Sequence, residues 1–383
     1  MKIFLSFLQS EKKHPIPAYD FWQHYIKNGI VEAGHEWSEC PGADWALGLV
    51  PKSKEEQANW KQDTWQKTIA WLKKNPVDLF LGYLYPEQID TSAIKEIQKT
   101  GVPCVNFFCD HIRLFTSVPA EFKVFDLNWV PEYKATEWYK ESSVPYINLP
   151  MPMWVDPKYR VIKEETNQQV TFIGSNDIQR SLLFEKVMKQ EPGLPLAIYG
   201  NGWKEDHTEQ TAQFIPDHSI TKKIANQFTF ISQHGITAWK RKNAQRNLSH
   251  TIDLPQHILH PSPAFEGYNR LIGESMVSLG VNRYPSFRFP LETPDSYSRL
   301  RDIEAPMLGA CYLTEWTGGI EQLYDIENEI AVFHTESELV EQVKMLQADP
   351  AKRKKLKTNG QKKALSNHSI PQSLNRLFNA LSL

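Results

Sequence analysis

The chain has 383 residues, which is longer than a domain with a single hydrophobic core usually is. Two domains of roughly 150–200 residues are therefore expected. A formal net charge of -2 excludes the basic surface that nucleic-acid binding requires, and a hydrophobic content of 41% is typical of a globular protein. The sequence has no apolar run of about 18 residues, and its four cysteines form no CxxC pair. We therefore expect a cytoplasmic protein with reduced thiols and no membrane span.

The first part of the sequence alternates apolar strands with helices. The predicted strands are Lys2–Leu8, Ala46–Val50, Val77–Leu84, Val102–Cys109, Leu127–Val130 and Tyr146–Leu149. The predicted helices are Tyr19–Ala33, Ser53–Lys74, Thr91–Thr100 and Lys134–Glu141, and Ser53-x-x-Glu56 is a capping box. Such alternation predicts a parallel, doubly wound sheet.

A proline-rich segment, Pro150–Pro157, then interrupts the pattern and predicts an interdomain hinge. After it the alternation restarts. The predicted strands are Val170–Ile173, Leu196–Tyr199, Thr229–Ser232, Ala310–Leu313 and Glu329–Phe333. The predicted helices are Asp177–Gln190, Tyr268–Leu279, a short one that ends near Gly309, a turn at Ile320–Tyr324, and three at the end of the chain, Glu336–Leu346, Pro350–Ser366 and Ser373–Leu381. The polar region Trp203–Pro263 is interpreted as a mobile insertion.

The stretch from Arg299 to His334 organises the second part. A short helix carrying Glu304 is followed by a strand and by the tight turn Thr317-Gly318-Gly319. This order places one carboxylate and a bare backbone loop at one edge of a parallel sheet. Nucleotides bind at such edges, where an acid accepts from ribose hydroxyls and glycines let N–H groups approach phosphate.

This stretch resembles the donor-binding block of group-one glycosyltransferases of GT-B architecture, and in particular the CgeB-like (spore maturation) branch. The pattern R-x-F/I-E-A-x-x-x-G, a strand and G-x-E-x-L/F is matched at Arg301, Ile303, Glu304, Ala305, Gly309, Gly319, Glu321 and Leu323. The resemblance implies an α/β fold of two Rossmann-like, doubly wound parallel-sheet domains facing each other across a cleft.

The resemblance also implies a division of labour between the domains. Residues 1–155 would form the acceptor domain, residues 165–368 the nucleotide-sugar donor domain, and residues 369–383 a helix packing back on the first domain. Glu304 would anchor the donor ribose, and Thr317, Gly318 and Gly319 would lie against the diphosphate.

Further donor-site candidates follow the strands of the second part. Gly174 ends a strand just before a helix, so free N–H groups and a positive dipole end point outward, and Arg180 could bind a diphosphate with its fork of donors. Gly200 lies in a G-x-G turn, which predicts either a contact near the nucleotide base or a simple tight turn. Asn269 and Arg270 are expected to open a helix at the same edge as Gly174.

Two acid–base candidates end a buried strand of the first part. Asp110 and His111 follow the strand Val102–Cys109, which places them at the mouth of the expected cleft. Glycosyl transfer moves one proton from an acceptor hydroxyl, and a positioned carboxylate or imidazole provides that path. We predict Asp110 or His111 as this base, with Asp110 favoured if the enzyme inverts. His14, in the loop after the first strand, is interpreted as a surface histidine.

Two departures limit what the resemblance implies. Retaining members carry a second glutamate eight positions before the one that matches Glu304, and Ser296 stands there. The stereochemical outcome therefore stays open. No DxD pair follows a suitable strand, so we expect no metal site and no cofactor, with the nucleotide-diphosphate sugar, for example a UDP-sugar, as co-substrate.

The leading hypothesis is a glycosyltransferase, with two alternatives. One is a non-catalytic nucleotide-sugar-binding protein, which Ser296 would fit, and the other is a UDP-sugar epimerase on the same two-domain plan. The sequence identifies neither donor base nor sugar. The acceptor could be a glycan, a lipid-linked intermediate, a protein or a nucleobase, of which the last is disfavoured by the lack of a basic face. The oligomeric state is left open.

Overall fold

The computed structural model describes residues 1–12, 14, 16, 19–51, 53–204, 253–284 and 294–383. In this part of the chain the residues divide into two compact units. The first comprises Met1–Pro157, Ser298–Glu304 and Lys362–Leu383, and the second comprises Lys158–Tyr297 and Ala305–Gln361. Each unit contains a six-stranded sheet whose pairs are all parallel.

The first unit's sheet has the strand order β2-β1-β3-β4-β5-β6. Its strands are β1 (Lys2–Ser6), β2 (Glu36–Ser38), β3 (Leu79–Gly82), β4 (Cys104–Phe107), β5 (Leu127–Trp129) and β6 (Tyr146–Ile147). The chain steps from β1 outward to β2 and then returns past β1 to β3. This reversal of direction creates a topological switch point between β1 and β3, outside their carboxyl ends.

Helices connect these strands. They are α1 (Tyr19–Glu32), α2 (Lys54–Leu72), α3 (Thr91–Gln98), α4 (His111–Leu114) and α5 (Ala135–Glu141). The predicted cap of α2 is confirmed, because the Ser53 hydroxyl accepts a hydrogen bond of 3.1 Å from the Glu56 N–H. Asp90 caps α3 in the same way, through the N–H groups of Ser92 and Ala93. Local sequence therefore fixes where these helices begin.

Aromatic side chains dominate the core of the first unit. Phe4 stacks on Phe80 with ring centroids 5.3 Å apart, and Phe7 stacks on Phe107 at 5.9 Å. The last helix of the chain packs against α1, where a Cβ added to Gly29 would lie 2.5 Å from Ile370. Glycine at this position therefore permits the close approach of the two helices.

The second unit's sheet has the order β12-β11-β10-β7-β8-β9. Its strands are β7 (Asn167–Ile173), β8 (Leu196–Tyr199), β9 (Leu259–His260), β10 (Ser275–Gly280), β11 (Tyr312–Glu315) and β12 (Ala331–Phe333). The switch point in this sheet lies between β7 and β10. Residues just after these two strands are therefore the natural place for a ligand in this unit.

The remaining helices are α6 (Ile178–Gln190), α7 (Phe265–Glu274), α8 (Leu300–Met307), α9 (Ile320–Leu323), α10 (Glu336–Ala348), α11 (Pro350–Asn367) and α12 (Ile370–Leu381). Helices α6 and α10 pack together, and their apolar faces join a core with the strands that includes Phe172, Phe184 and Leu339. Helices α8 and α11 each contribute residues to both units. Ser298–Glu304 is thus grouped with the first unit, although the predicted donor domain contained it.

Several predicted elements need correction. Ala46–Leu49 is a 3-10 helix rather than a strand. The Leu47 N–H donates to the Asp44 carboxylate, so it is not available for a hydrogen bond to a neighbouring strand. The predicted helix Tyr268–Leu279 is wrong beyond Glu274, since Ser275–Gly280 is the fully buried strand β10. An apolar run buried on every side carries no periodicity that separates strand from helix. The predicted strand Thr229–Ser232, together with most of the predicted insertion, lies outside the described residues.

No helix in the described ranges combines the length and the apolar character needed to cross a bilayer.

Candidate active site

The carboxyl edge of the first sheet carries a polar cluster after β3 and β4. The Tyr83 and Tyr85 hydroxyls are 3.2 Å apart, and the Tyr85 hydroxyl lies 3.5 Å from Asp110 Oδ2. The Tyr83 hydroxyl also contacts Cys109 Sγ at 3.6 Å. Because both strands end at this edge, the topology brings residues separated by 25 positions into one cluster.

Asp110 is the candidate base whose carboxylate is not fully engaged by hydrogen bonds to the described residues. It is half-buried, and burial raises the pKa of its carboxyl group, while the guanidinium groups of Arg113 and Arg299 and the Tyr85 hydroxyl oppose that rise. A carboxyl whose pKa is raised accepts a proton more readily than an ordinary aspartate. The site is therefore suited to take a proton from a bound hydroxyl.

His111 lies in a different environment. Its side chain is 0% exposed, and both ring nitrogens are occupied: Nδ1 is 2.9 Å from Glu132 Oε2, and Nε2 is 2.9 Å from the Tyr139 hydroxyl. Burial lowers the pKa of this histidine to about 3, so the imidazole is neutral. The structure leaves His111 no ring nitrogen for an acceptor hydroxyl, in contrast to what the sequence led us to expect.

Glu132 anchors the turn that carries both candidates. Its Oε2 accepts a 2.6 Å hydrogen bond from the His111 backbone N–H, and its Oε1 is buried without a hydrogen-bond partner. Burial raises the pKa of Glu132 to about 9, and the negative charge of Asp110 acts in the same direction. Glu132, His111 and Tyr139 thus form a neutral, buried network. His111 directly follows Asp110 in the sequence, so this network holds the backbone next to Asp110.

In the second unit, two predicted glycines meet. Gly200 has a φ of +144°, and a Cβ at that position would lie 2.1 Å from the carbonyl oxygen of Gly174. The same carbonyl accepts a 2.7 Å hydrogen bond from the Trp203 indole. Glycine is required at 200 because the turns after β7 and β8 touch there. This packing accounts for Gly200 without a ligand.

Arg180 is engaged within its own turn. Its Nη1 donates to the Ser175 carbonyl at 2.7 Å, and its Nε lies 3.2 Å from Asp177 Oδ2. Asp177 also caps α6, because its Oδ1 accepts from the backbone N–H groups of Gln179 and Arg180. The helix N-terminus predicted to face a diphosphate thus already holds a carboxylate. A phosphate at this position has to compete with Asp177.

The remaining predicted donor-site residues are distributed differently from expectation. Asn269 and Arg270 lie in the middle of α7, not at its start, because the helix already begins at Phe265. Asn269 is 5% exposed with its Nδ2 unsatisfied, whereas Arg270 is exposed. The structure therefore removes the argument that these two open a helix.

The turn after β11 has the predicted form. Gly319 adopts a φ of +90° immediately before α9, a conformation that favours glycine. Thr317 is buried, and its hydroxyl accepts a 3.0 Å hydrogen bond from Ser296. Ser296, which stands in place of the second glutamate, is thereby hydrogen-bonded to this turn through Thr317, the residue that precedes Gly318.

Glu304 lies in α8 and is 7% exposed. Its carboxylate is 3.5 Å from Arg301 Nη1, one turn earlier. Burial raises the pKa of Tyr25 in α1, and the charge of Glu304 raises it further. All three residues belong to the first unit. The carboxylate is therefore not a solvated helix side chain, although the contacts do not by themselves mark it as a ribose anchor.

A second carboxylate network, at the ends of β10 and β11, was not predicted from the sequence. Glu315 Oε2 accepts from the backbone N–H groups of Asn282 and Arg283 at 3.1 and 3.0 Å, and Oε1 accepts from the Arg283 guanidinium. Its only signal in the sequence was its position at a strand end. Tyr85 and Glu132 carried the same weak signal after β3 and β5.

Over the residues that the structure describes, no group of three or more His, Cys, Asp or Glu side chains is arranged to hold a metal ion.

The two six-stranded parallel sheets define the GT-B class, and comparison with solved structures agrees. The chain matches sucrose-phosphate synthase of Thermosynechococcus elongatus with a TM-score of 0.59 and 12% identity, over 99% of this chain and 98% of that one. A glycosyltransferase of Rickettsia africae gives a TM-score of 0.59 and 10% identity, over 99% and 98% of the two chains. HepE of Anabaena in complex with UDP-glucose gives 0.53 and 11%, over 100% and 99%. At such identities the likeness shows the fold.

A comparison at the level of sequence supports the same class. Residues 226–379 match a family profile described as "Glycosyl transferase-like". Among proteins of curated function, none matches the sequence. The predictions of GT-B fold and of a glycosyltransferase enzyme are confirmed at the level of class. The assignment to the CgeB-like branch is not decided by these matches and stays a prediction.

Proposed function

We propose that this chain transfers a glycosyl group from a nucleotide-diphosphate sugar, first of all a UDP-sugar, to an acceptor hydroxyl without a metal ion or other cofactor. The observation that carries the proposal is the half-buried Asp110 carboxylate at the carboxyl edge of the first sheet, in a chain of glycosyltransferase class. Neighbours whose structures contain UDP or UDP-glucose support the choice of donor.

In the proposed reaction, Asp110 accepts the proton as the acceptor O–H bond breaks. The acceptor oxygen forms a bond to the anomeric carbon, and the bond from that carbon to the diphosphate breaks. The electron pair leaves with the nucleoside diphosphate. Direct displacement of this kind inverts configuration, which agrees with Ser296 at the position where retaining members have glutamate.

The leaving diphosphate needs positive charge or N–H donors. We propose that it binds at the carboxyl edge of the second sheet, near the Gly318–Gly319 turn and Arg180. Because Asp177 now holds Arg180, binding would exchange one anionic partner of the guanidinium for another. Glu304 remains the proposed ribose anchor, and closure of the donor site against water would protect the sugar nucleotide from hydrolysis.

One observation favours a second candidate, a non-catalytic nucleotide-sugar-binding protein. Asp177 fills the N-terminus of α6, and Ser296 replaces a glutamate, so part of the expected donor machinery is altered. A protein that only binds would leave a sugar nucleotide intact. A glycosyltransferase with no acceptor present hydrolyses it slowly, with water as the acceptor.

A thermal-shift screen over nucleoside diphosphates and sugar nucleotides tests the proposal. We expect UDP at saturating concentration to raise the melting temperature, because a ligand that binds the folded state stabilises it by mass action. Arg180→Ala and Glu304→Ala should each remove that shift. Absence of a shift with every nucleotide would overturn the proposed donor.

A further inference from the structure

The geometry points to Tyr85 as a positioning residue for the base: its hydroxyl holds the Asp110 carboxylate, and two buried amide side chains fix the turn that carries Tyr85. The inference rests on the proposed function, in which Asp110 takes the acceptor proton. Nothing in the sequence patterns that suggested Asp110 singles out Tyr85, which becomes visible only when β3 and β4 lie side by side.

The residue before Tyr85 is held on both sides by one side chain. Asn106, in the centre of β4 and fully buried, accepts a 3.0 Å hydrogen bond from the Leu84 N–H and donates a 3.2 Å hydrogen bond to the Leu84 carbonyl. A side-chain amide that satisfies both backbone groups of one residue fixes the path of the chain there. The exit from β3 is therefore rigid.

A second amide holds Tyr85 itself. The Tyr85 N–H donates to Gln88 Oε1 at 3.0 Å, and Gln88 Nε2 donates to the Trp45 carbonyl at 2.7 Å. Gln88 is fully buried, so these hydrogen bonds form away from water. Breaking either one leaves a buried polar group unpaired, which makes alternative turn geometries costly.

The ring of Tyr85 is fixed as well. It packs edge-on against Phe108, with centroids 5.0 Å apart at 82°, while its hydroxyl lies between Tyr83 and Asp110. The resulting chain of polar groups runs from Cys109 through Tyr83 and Tyr85 to the carboxylate. The separation of 3.5 Å between the Tyr85 hydroxyl and Asp110 Oδ2 is at the long end of the range for a hydrogen bond.

The direction of the hydrogen bond follows from protonation. Burial, and then the charge of Asp110, raises the pKa of the Tyr85 phenol, so Tyr85 keeps its proton and donates. Of the two Asp110 carboxylate oxygens, the Tyr85 hydroxyl contacts Oδ2. Among the described residues, no hydrogen bond to Oδ1 is formed, so Oδ1 is the oxygen that faces an acceptor hydroxyl. Tyr85 therefore determines which carboxylate oxygen acts.

Removal of this donor changes the proton affinity of Asp110. A hydrogen bond to the carboxylate favours its charged form, so its loss in Tyr85→Phe raises the pKa of Asp110. The other charged or titratable groups that act on this carboxylate or respond to it come from four segments of the chain. They are Tyr83, Cys109, Arg113, Glu132 and Arg299. None of these is altered in the variant.

The test compares Tyr85→Phe with Tyr133→Phe, a matched change at a tyrosine that is 40% exposed. Aspartate labelled with ¹³C at the side-chain carboxyl is titrated by NMR, and Asp110→Asn assigns the Asp110 signal. We expect the pKa of Asp110 to rise by about 0.5–1 unit in Tyr85→Phe and to stay unchanged in Tyr133→Phe. An unchanged Asp110 titration in Tyr85→Phe would overturn the inference.

Turnover provides the second readout. With UDP-glucose and no acceptor, Tyr85→Phe should release UDP about 10-fold more slowly than the wild type, and its pH–rate profile should shift to higher pH on the acid side. The UDP-induced thermal shift should not change, and its loss would reveal general damage instead of a positioning role. If the wild type releases no UDP from any sugar nucleotide, the proposed function fails, while the titration still decides the contact of Tyr85 with Asp110.

Discussion

Carboxylates at the carboxyl edges of the two sheets have different environments. In the first unit Asp110 faces a tyrosine hydroxyl, and burial raises its pKa. In the second unit Glu315 and Asp177 are each held by a guanidinium, that of Arg283 or of Arg180, and by two backbone N–H groups. The first environment leaves a carboxylate able to exchange a proton, and the second surrounds the carboxylate with N–H donors and a cation.

The two environments favour two different roles for a carboxylate, proton transfer in the first unit and structural support in the second. A carboxylate that accepts hydrogen bonds from backbone N–H groups and faces a guanidinium ties these groups together and contributes to the fold. An acid whose charged form is penalised by burial is prepared for proton transfer. This contrast supports the proposal that acid–base chemistry belongs to the first unit, and it indicates that the networks of the second unit support its strand ends.

The largest expected effect is on Asp110. Asp110→Asn keeps the size of the side chain and removes its ability to accept the acceptor proton. UDP release from UDP-glucose should fall by about 10²–10⁴-fold, while the UDP-induced thermal shift is retained. A wild-type rate of UDP release in this variant would contradict the role of Asp110 as the base.

Next comes the structural carboxylate. Glu315→Gln removes the carboxylate charge that faces the Arg283 guanidinium and so breaks a mostly buried ion pair. The free energy of unfolding in urea should fall by about 3–5 kcal/mol. As a control, Asp63→Asn breaks the exposed helix pair with Lys67 and should change it by less than about 0.5 kcal/mol. Equal effects of the two substitutions would contradict the structural interpretation of Glu315.

Glu132 gives a pH-dependent prediction. Because its pKa is about 9 in the folded state and near 4.5 when unfolded, its contribution to stability is complete below about pH 4.5 and is lost as the pH rises toward 9. Glu132→Gln cannot ionise, so its unfolding free energy should fall less over that range, by a difference on the order of 1–3 kcal/mol. Parallel pH profiles for the two proteins would show that Glu132 is already ionised near pH 7.

On the acid side, His111 should act in the other direction. Its folded-state pKa of about 3 lies below the unfolded value of 6.5, so its contribution is present above that value and is lost as the pH falls toward 3. Glu132→Gln retains His111, so this acid-side loss should persist in the variant. Urea unfolding at pH 4, 5, 6 and 7 measures it, and a flat profile would contradict a neutral buried imidazole.

The smallest effect concerns Asp177. Asp177→Asn keeps an N-cap acceptor, and the free energy of unfolding should change by a few tenths of a kcal/mol, against about 1 kcal/mol for Asp177→Ala. Since Asn no longer competes as an anion for Arg180, the UDP-induced thermal shift should grow. A smaller shift in Asp177→Asn would indicate that the carboxylate assists donor binding rather than opposing it.

Much of the fold could be predicted from sequence because strands and helices in both units carry clear periodicity and caps, as at Ser53 and Asp177. Strand β2 was missed because it is a short edge strand with two exposed residues, and β9 because its two residues lie within the region that was interpreted as an insertion. The strand β10 was taken for helix because every one of its side chains is buried.

The site was predicted less completely than the fold. Asp110 could be named as a candidate because it ends an apolar strand, and its role as the base stays a prediction. The engagement of His111 by Glu132 and Tyr139 depends on which side chains meet across the fold, and spacing along the chain does not encode that. Tyr85 was missed for the same reason. The pair of Arg180 with Asp177 is local, three residues apart, and was missed because Arg180 was interpreted only as a diphosphate ligand. Strand-end position identifies candidates, and only their partners distinguish a base from a structural group.

The most direct test of the central claim is the fate of UDP-glucose incubated with the wild-type protein and with Asp110→Asn in the absence of acceptor. The account predicts that the wild type slowly releases UDP and glucose in equal amounts, and that Asp110→Asn binds UDP normally but releases neither. UDP-glucose left intact by the wild type, an isomerised sugar nucleotide without UDP release, or equal UDP release by both proteins would contradict it.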